Sequence, residues 1–467
     1  MSEAIIPRRT FLSRVALPVL SWGLPFHSLM VAFLFGGLGL SASLVRGIAS
    51  WKEAFVLCLI GYVVARAIFG KGPRVVVSWM DIAVASLLFI AAAFLVAGKQ
   101  WLRIELPQGA ELYGIRDIAF FLLLYFVGRA SPEVADDPAT LRRLYIIVVM
   151  TAAIAIVEWL LVTPDYLVLM GVAEYFQKFL NVAAFTTGNE YGLPMNYWTH
   201  IGSVEVQRAG SIYLSSQGFA VPFLILLPIA TAWVFGAARR RTPSMYIEYA
   251  IVWIGLLLSV TRMTIIVCAI QAVLMIIMLR RPEWAVAVLA AGVVALAAAL
   301  VLVPGLPGFI WDTLTWQTGS SASHLKDWSK GVTALFDRPW GWGLGTTDQS
   351  AIRSGLAPLT ADNGYLKYAV ELGLEGLIAH IVIYVGAGYL SLRVARFGRT
   401  QYRRVMGMVV FITTIGILIN SATGVVLNAL VLSYLYFWFV GTIVTIAQRD
   451  VARAPAKAPA RLELAPA

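Results

Sequence analysis

Apolar stretches long enough to cross a lipid bilayer recur along almost the whole chain. The hydrocarbon layer is about 30 Å thick, so a spanning helix needs about 20 mostly apolar residues. Backbone polar groups must be paired within lipid, which makes helices the prediction for runs of this length. About twelve spans are predicted, at about 17–41, 54–69, 79–97, 115–128, 144–162, 217–236, 246–260, 262–279, 284–303, 365–391, 405–424 and 427–446.

The composition excludes a water-soluble globule. Of the 467 residues, 60% are hydrophobic and 13% charged, whereas soluble domains carry about 25% charged residues. The net charge of +11 does not indicate a nucleic-acid partner, because the basic residues lie between apolar runs. Cys58 and Cys268 lie inside such runs, and no His/Asp/Cys set has metal-ligand spacing. We therefore expect an integral membrane protein with no metal and no cofactor.

Basic residues in short connections predict the orientation of the chain. With the N-terminus inside, 22 of the 36 Lys and Arg residues fall in inner segments, as the positive-inside rule requires. Both termini are thus predicted to be cytoplasmic, and the first apolar segment is a retained anchor because it is too long for a signal peptide. The tail, rich in Ala and Pro, is predicted to be disordered.

Two long outer loops interrupt the series of spans. The predicted organisation is N-terminal transmembrane helices at 1–163, a first long loop at 164–217, central transmembrane helices at 218–303, a second long loop at 304–364, C-terminal transmembrane helices at 365–447 and a disordered tail at 448–467. Long connections in compact proteins are usually functional or disordered. Both loops are rich in aromatic residues, which favours interfacial anchoring, or a cavity where rings stack on sugars. The second loop holds Trp311, Trp316, Trp328, Trp340 and Trp342.

Two arginines at the outer membrane face are candidate functional residues. Arg262 lies at the outer end of two spans in an otherwise apolar stretch, and Arg208 closes the first long loop. Ionisable residues at membrane depth are costly and often functional, although Arg262 could instead snorkel to the headgroups. Since guanidinium groups bind phosphate oxygens bidentately, the pair is predicted to hold a pyrophosphate.

The second long loop supplies the remaining candidates. A glycine-rich turn at 341–345 is followed by Asp362 and Asn363, where a helix is predicted to begin. Either residue could be a helix N-cap, and Asp362 could also be a general base. His324 is the alternative base, whereas His27, His200 and His380 are expected to be structural. Secondary contacts to anionic substrate are expected from Lys326, Lys330, Arg338 and Arg353.

Three passages resemble the bacterial O-antigen polymerase and O-antigen ligase superfamily, which includes exopolysaccharide polymerases. Thr261–Arg262 matches its Ser/Thr-Arg step at the start of a span. The passage from Trp328 to Gly345 is similar to its tryptophan, proline and Gly-x-Gly-x-Gly series. Asp362–Leu366 with Glu371–Gly376 resembles its His/Asp-Asn-x-Tyr-Leu and Glu-x-Gly-x-x-Gly passages. Each motif alone is weak, but their order in the expected loops is specific.

The resemblance implies an all-α integral membrane protein like the C-type glycosyltransferases, in the bacterial inner (cytoplasmic) membrane, with periplasmic long loops. It also implies a metal-independent, inverting glycosyltransferase that polymerises undecaprenyl-diphosphate-linked oligosaccharide units into O-antigen or exopolysaccharide. Asp362 would be the base and Arg208 and Arg262 the diphosphate ligands, with Asn363, Tyr365 and the secondary cations in the substrate site. The partners would be lipid-linked glycan donor and acceptor, membrane lipids and a chain-length regulator.

Two alternatives stay open at the level of sequence. O-antigen ligases transfer the glycan to lipid A-core and carry a histidine at the position of Asp362, so the aspartate favours a polymerase. A lipid-linked sugar transporter would suit twelve spans equally well. Transporters often contain internal repeats, and the two halves of this sequence show no convincing repeat.

Overall fold

A computed structural model describes residues 10–70, 76–102, 106–107, 109–182, 189–201, 204–236, 242–315, 317 and 319–451. The described residues form an α-helical membrane protein with a single two-stranded antiparallel hairpin. Trp316 and most of the predicted disordered tail lie outside these residues. The first tail residues, 448–451, belong to a π-helix, Ala447–Val451.

The helices are as follows in chain order. The first half contains α1 Leu17–Ala32, α2 Ala42–Ala49, α3 Trp51–Ile68, α4 Trp79–Leu102, α5 Ala110–Ile118, α6 Leu123–Arg129, α7 Pro138–Leu161, α8 Pro164–Leu169, α9 Val172–Glu174, α10 Ser216–Ala220 and α11 Phe223–Phe235. The second half contains α12 Pro243–Leu258, α13 Arg262–Met278, α14 Pro282–Leu302, α15 Leu306–Leu314, α16 Gly319–Asp337, α17 Asp348–Arg353, α18 Gly364–Phe397, α19 Gln401–Asn420 and α20 Leu430–Ile446. Strands β1 Trp198–Ile201 and β2 Val204–Gln207 pair with Trp198 opposite Gln207. Further π-helices at Leu12–Ala16 and Phe33–Gly37 extend α1 at both ends.

The membrane-spanning character of the chain follows from its helices. Among the described residues, nine helical segments are long and apolar enough to cross a bilayer, and α12 and α13 are shorter apolar helices. The span predicted at 115–128 is not one helix, because α5 ends at Ile118 and a 3-10 turn at Phe120–Leu122 precedes α6. Arg116 and Asp117 lie on α5 just before the break and form an ion pair 3.1 Å apart. The total of twelve spans stays a prediction.

The core of the bundle lies around α20 and α11, whose side chains are almost entirely buried. Helix α20 packs against α6, and α18 packs against α19 and α4. The contact between α6 and α20 depends on glycine: a Cβ at Gly128 would overlap the Trp438 carbonyl, and one at Gly441 would overlap the Tyr125 carbonyl. Small residues allow this close helix approach, which drives helix association in lipid.

Helix α14 lies at the periphery of the bundle. Its side chains are almost all exposed, and its main packing neighbours are the adjoining helices α13 and α15. Since its sequence is apolar after Glu283 in the first turn, its outer surface is suited to contact with lipid.

One end of the bundle, here called the locked end, is fixed by buried ion pairs. Arg129 binds Asp81 at 2.9 Å and also donates to the Thr445 hydroxyl. Arg403 joins Asp136 at 2.6 Å and Asp450 at 2.9 Å. Asp450 lies within the segment predicted to be disordered, and this pairing holds residues 447–451 against the bundle.

The two long connections meet at the other end, here called the site end. The first contains α8, α9 and the hairpin, and the second contains α15, α16 and α17. They contact each other where the Asn181 amide donates to the Arg353 carbonyl oxygen at 3.5 Å. Both connections are therefore folded segments where the structure describes them, and they cover the start of α13 and of α18.

Candidate functional site

Arg208 is held at the site end by backbone acceptors. It follows β2 directly, and its Nε donates to the Ser259 carbonyl oxygen at 2.9 Å. Its Nη1 donates to the Asn196 carbonyl oxygen at 3.2 Å and its Nη2 to the Thr261 hydroxyl at 3.1 Å. Burial and the nearby positive charge of Arg262 lower the pKa of Arg208 to about 10, so the group remains a cation at neutral pH.

Arg262 is the first residue of α13, beside the threonine that binds Arg208. Its Nη1 donates to the Thr313 hydroxyl at 2.5 Å, and its guanidinium lies 4.8 Å from the centre of the Phe309 ring. Both contacts come from α15, which places this helix beside the start of α13. Within the described part of the chain, neither Arg208 nor Arg262 has a carboxylate within 4 Å. Two neighbouring cations without a counter-ion are suited to an anionic ligand.

Asp362 and His324 form a second pair at this end. Asp362 Oδ2 lies 3.5 Å from His324 Nδ1. This contact connects the loop before α18 to helix α16. The Asp362 backbone has φ of +53°, in the left-handed region. Asp and Asn tolerate this region better than other residues with a Cβ, and such conformations cluster at functional sites. The Asp362 carboxyl is therefore positioned by a constrained backbone at the C-terminal end of the second long connection.

The protonation of this pair is set by its surroundings. The Asp362 side chain keeps 41% of its surface accessible but lies in a recess. Desolvation and the negative charges of Asp348 and Asp327 raise its pKa to about 7. Burial lowers the pKa of His324, and the positive charge of Arg262 adds to the effect, against the opposing influence of Asp327. A carboxyl that titrates near neutrality beside a neutral imidazole can accept a proton during a reaction.

Asn363 and Tyr365 have structural partners. Asn363 is the N-cap of α18: its Oδ1 accepts from the Tyr365 and Leu366 amides at 3.0 Å, and its Nδ2 donates to the Ala422 carbonyl oxygen. The Tyr365 hydroxyl donates to the Leu418 carbonyl oxygen at 2.5 Å. Because Asn363 supplies the cap, the carboxyl of Asp362 does not have to.

A buried carboxylate fixes the glycine-rich turn. Glu371 accepts from the Gly345 amide at 2.9 Å, from the Thr347 amide at 3.3 Å and from the Thr347 hydroxyl. Lys367, one turn earlier on α18, lies 3.4 Å from the same carboxylate, and both side chains are fully buried. Helix α18 is interrupted at Gly373, which has φ of +74°. These contacts hold the glycine-rich turn against α18. The turn therefore has a structural role, which agrees with its lack of a phosphate-binding signature.

The other predicted cations are spread over the site end. Lys326 is exposed on α16, and Lys330 lies 3.4 Å from Asp327. The Arg338 guanidinium lies 4.5 Å from the centre of the Trp342 ring. Arg353 lies at the end of α17, which packs against α5. Sequence reasoning did not single out Thr313, Phe309 or Asp327 as neighbours of the site, because each reaches it through tertiary packing alone.

No group of three or more His, Cys, Asp or Glu that could hold a metal ion occurs among the residues described. The polar groups that come together are instead two arginines, one histidine and one aspartate. Such a set can neutralise developing negative charge and move one proton.

Comparison with protein families gives a match in the second half of the chain. Residues 249–381 match the family model described as O-antigen ligase. This confirms the resemblance to the O-antigen polymerase and ligase superfamily over the stretch that contains Arg262, His324 and Asp362. The family covers both polymerases and ligases, and its members are glycosyltransferase-like enzymes. No curated protein matches the chain.

Proposed function

We propose, from the match of the central and C-terminal region to O-antigen ligases, that the chain polymerises lipid-linked oligosaccharide units as a metal-independent, inverting glycosyltransferase. The observation that carries the proposal is the pair Arg208 and Arg262, which has no counter-ion among the described residues. Arg262 lies within electrostatic range of His324, the residue that contacts Asp362. The substrate is a glycan on undecaprenyl diphosphate, and the site end faces the periplasm of a bacterial inner membrane. Both termini are then cytoplasmic.

In the proposed reaction, Arg208 and Arg262 bind the diphosphate of the donor. Asp362, in its ionised form, accepts the proton of an acceptor hydroxyl as that oxygen attacks the anomeric carbon. The bond between the anomeric carbon and the phosphate oxygen breaks, and its electron pair leaves with the diphosphate. Fixed cations stabilise this developing charge without reorganisation. Attack from the side opposite the leaving group inverts the anomeric configuration.

His324 is the alternative base, and its contact with Asp362 makes the two roles separable by experiment. Desolvation keeps the imidazole neutral, so either member of the pair could receive the proton. We assign it to Asp362 because this carboxyl titrates close to neutral pH and because Asp362 stands where the O-antigen ligases carry a histidine.

The proposal is tested with the purified full-length protein in lipid nanodiscs and an undecaprenyl-diphosphate-linked repeat unit. We expect polymer formation with the wild type, and a loss of at least about 100-fold with Arg262→Ala or Asp362→Asn. Arg46→Ala is the matched control, because Arg46 is a site-end arginine that lies over the Phe179 ring, away from the pair. Wild-type chain length in both site variants would overturn the mechanism. Loss of product only in His324→Ala would transfer the role of base to the histidine.

A ligase is the second candidate, since the matching family model carries that description. Adding lipid A-core to the same assay separates the two: a polymerase lengthens the lipid-linked chain, whereas a ligase joins it to the core. A transporter would move the lipid-linked glycan without forming any new glycosidic bond.

A further inference from the structure

A second cationic cluster lies at the site end, on elements that the transfer mechanism does not use. The Arg116 Nε and Nη2 both donate to Asp117 Oδ1 at 3.1 Å. Arg353 reaches this pair from α17, which packs against α5. The close packing has a local cause: a Cβ at Gly114 would lie 2.3 Å from the Gly345 amide nitrogen, so only glycine permits it.

The guanidinium of Arg353 is poorly satisfied. Its Nη2 donates to Gln349 Oε1 at 3.1 Å, whereas its buried Nε has no hydrogen-bond partner. No carboxylate within the described ranges lies within 4 Å of it. Burial and the positive charge of Arg116 lower the pKa of Arg353, against the opposing charge of Asp117. A buried arginine Nε without an acceptor loses hydrogen-bond energy unless an anion supplies one.

The formal charge of the cluster is too small for a diphosphate. Arg116 and Arg353 carry two positive charges, and Asp117 and Asp348, both within electrostatic range of Arg353, carry two negative charges. The neighbouring Lys52 and Glu53, 3.1 Å apart, neutralise each other. A diphosphate carries at least two negative charges and would be undercompensated here, whereas Arg208 and Arg262 provide two uncompensated cations. Tyr175, a buried residue of the first long connection, lies within electrostatic range of both Arg116 and Arg353.

The cluster is close to the transfer centre. Asp348 interacts electrostatically with Arg353 and with Asp362, so it lies between the two sites. Asp117 also lines a small cavity with Gly364 and Lys367, which belong to the first turn of α18. A sugar bound at the cluster would therefore be near the reacting end of a glycan.

We propose that Arg353 and Arg116 bind the carboxylate of an acidic sugar, such as a uronic acid, within the glycan substrate. The assignment rests on the proposed function, which supplies the glycan. The Arg353 fork would bind the carboxylate bidentately, and Arg116 would remain paired with Asp117 while adding its charge. The site would thus select repeat units that carry an acidic sugar.

The test is binding of small probes to the full-length protein in nanodiscs, measured by saturation-transfer NMR. The probes are sodium glucuronate, glucose and inorganic pyrophosphate. We expect glucuronate to give saturation transfer that falls at least five-fold in Arg353→Gln, with little signal from glucose. Lys178→Gln is the control, since Lys178 is an exposed site-end cation on the same long connection as Tyr175. Equal signals from glucose and glucuronate, or a full signal in Arg353→Gln, would overturn the proposal.

Further measurements distinguish a carboxylate from a diphosphate as the ligand, and failure of this proposal from failure of the proposed transferase activity. Pyrophosphate that binds through Arg353 more tightly than glucuronate would identify a second diphosphate site and refute the carboxylate assignment. If Arg353→Gln does not fold, two other variants replace it in the binding measurement. Arg353→Lys keeps the positive charge, and Arg116→Gln removes a positive charge on α5 instead of α17. Glucuronate binding in a wild type that transfers no glycan would refute the transferase but keep this site. Transfer without glucuronate binding would refute the site alone.

Discussion

Asp362 Oδ2 lies 3.5 Å from His324 Nδ1, and the contact joins the loop before α18 to helix α16 within the second long connection. The contact places a carboxyl with a pKa of about 7 beside an imidazole whose pKa is lowered. At pH 7 the carboxyl of Asp362 is therefore about half protonated. Four predictions test this arrangement and the structure that supports it.

The rate of glycan transfer should rise with pH through about 7. The base must be ionised to accept a proton, and the raised pKa of Asp362 keeps it largely protonated in mild acid. Asp327→Asn removes one of the negative charges that raise this pKa, so the midpoint of the rise should move to lower pH by a few tenths of a unit to about one unit. A pH profile of polymer formation measures both. A midpoint that moves upward in Asp327→Asn would contradict the assignment.

Replacing Arg208 should affect stability as well as activity. Its side chain satisfies the Ser259 and Asn196 carbonyl oxygens and the Thr261 hydroxyl, and each charged hydrogen bond contributes about 1.5–3 kcal/mol. Arg208→Ala should lower the thermal midpoint by several degrees and transfer by at least about 100-fold. Arg208→Lys keeps the charge but cannot reach all three acceptors. It should therefore recover only part of the thermal stability and part of the transfer activity. Differential scanning fluorimetry in detergent, beside the transfer assay, checks both effects.

The buried pair of Glu371 and Lys367 should respond asymmetrically to mutation. Glu371→Gln leaves Lys367 buried without its counter-ion, which costs about 3–5 kcal/mol of folding stability. Lys367→Met should cost less, because Glu371 keeps the amides of Gly345 and Thr347 as donors. The double variant should be more stable than Glu371→Gln alone. Thermal midpoints of the three variants measure the order, and equal losses in the two single variants would contradict it.

Gly373 should not tolerate a side chain. Its φ is +74°, and a Cβ there would lie 2.7 Å from the carbonyl carbon of Trp340 and 2.8 Å from the carbonyl oxygen of Pro339. Gly373→Ala should therefore cost about 2 kcal/mol or more. Gly388→Ala in the same helix is the matched control, since its Cβ would make only an ordinary contact with Thr414. It should be neutral or stabilising by up to about 1 kcal/mol, and similar thermal midpoints for both variants would refute the argument.

The membrane-spanning class and the position of Arg262 could be predicted from the sequence, because hydropathy and a short turn are local signals. The end of α5 at Ile118 could not be predicted, because the apolar run continues beyond Arg116 and Asp117. Their ion pair is visible only in the structure. The role of Glu371 in fixing the glycine-rich turn could not be predicted either. Its hydrogen-bond donors, Gly345 and Thr347, lie some 25 residues earlier in the chain. Neither the contact of His324 with Asp362 nor that of Arg353 with α5 has a signature in spacing. Both exist only because long connections fold back onto the bundle.

The peripheral position of α14 has a consequence for the arginine that binds the diphosphate in our proposal. Helix α15 follows α14 after three residues and presents Thr313 and Phe309 to Arg262. Because α14 is held chiefly by its neighbours in sequence, the depth at which it rests is set by the hydrocarbon around it. Acyl-chain length in the surrounding leaflet would then shift α15 against the guanidinium, and lipid composition would change the rate of the proposed glycan transfer.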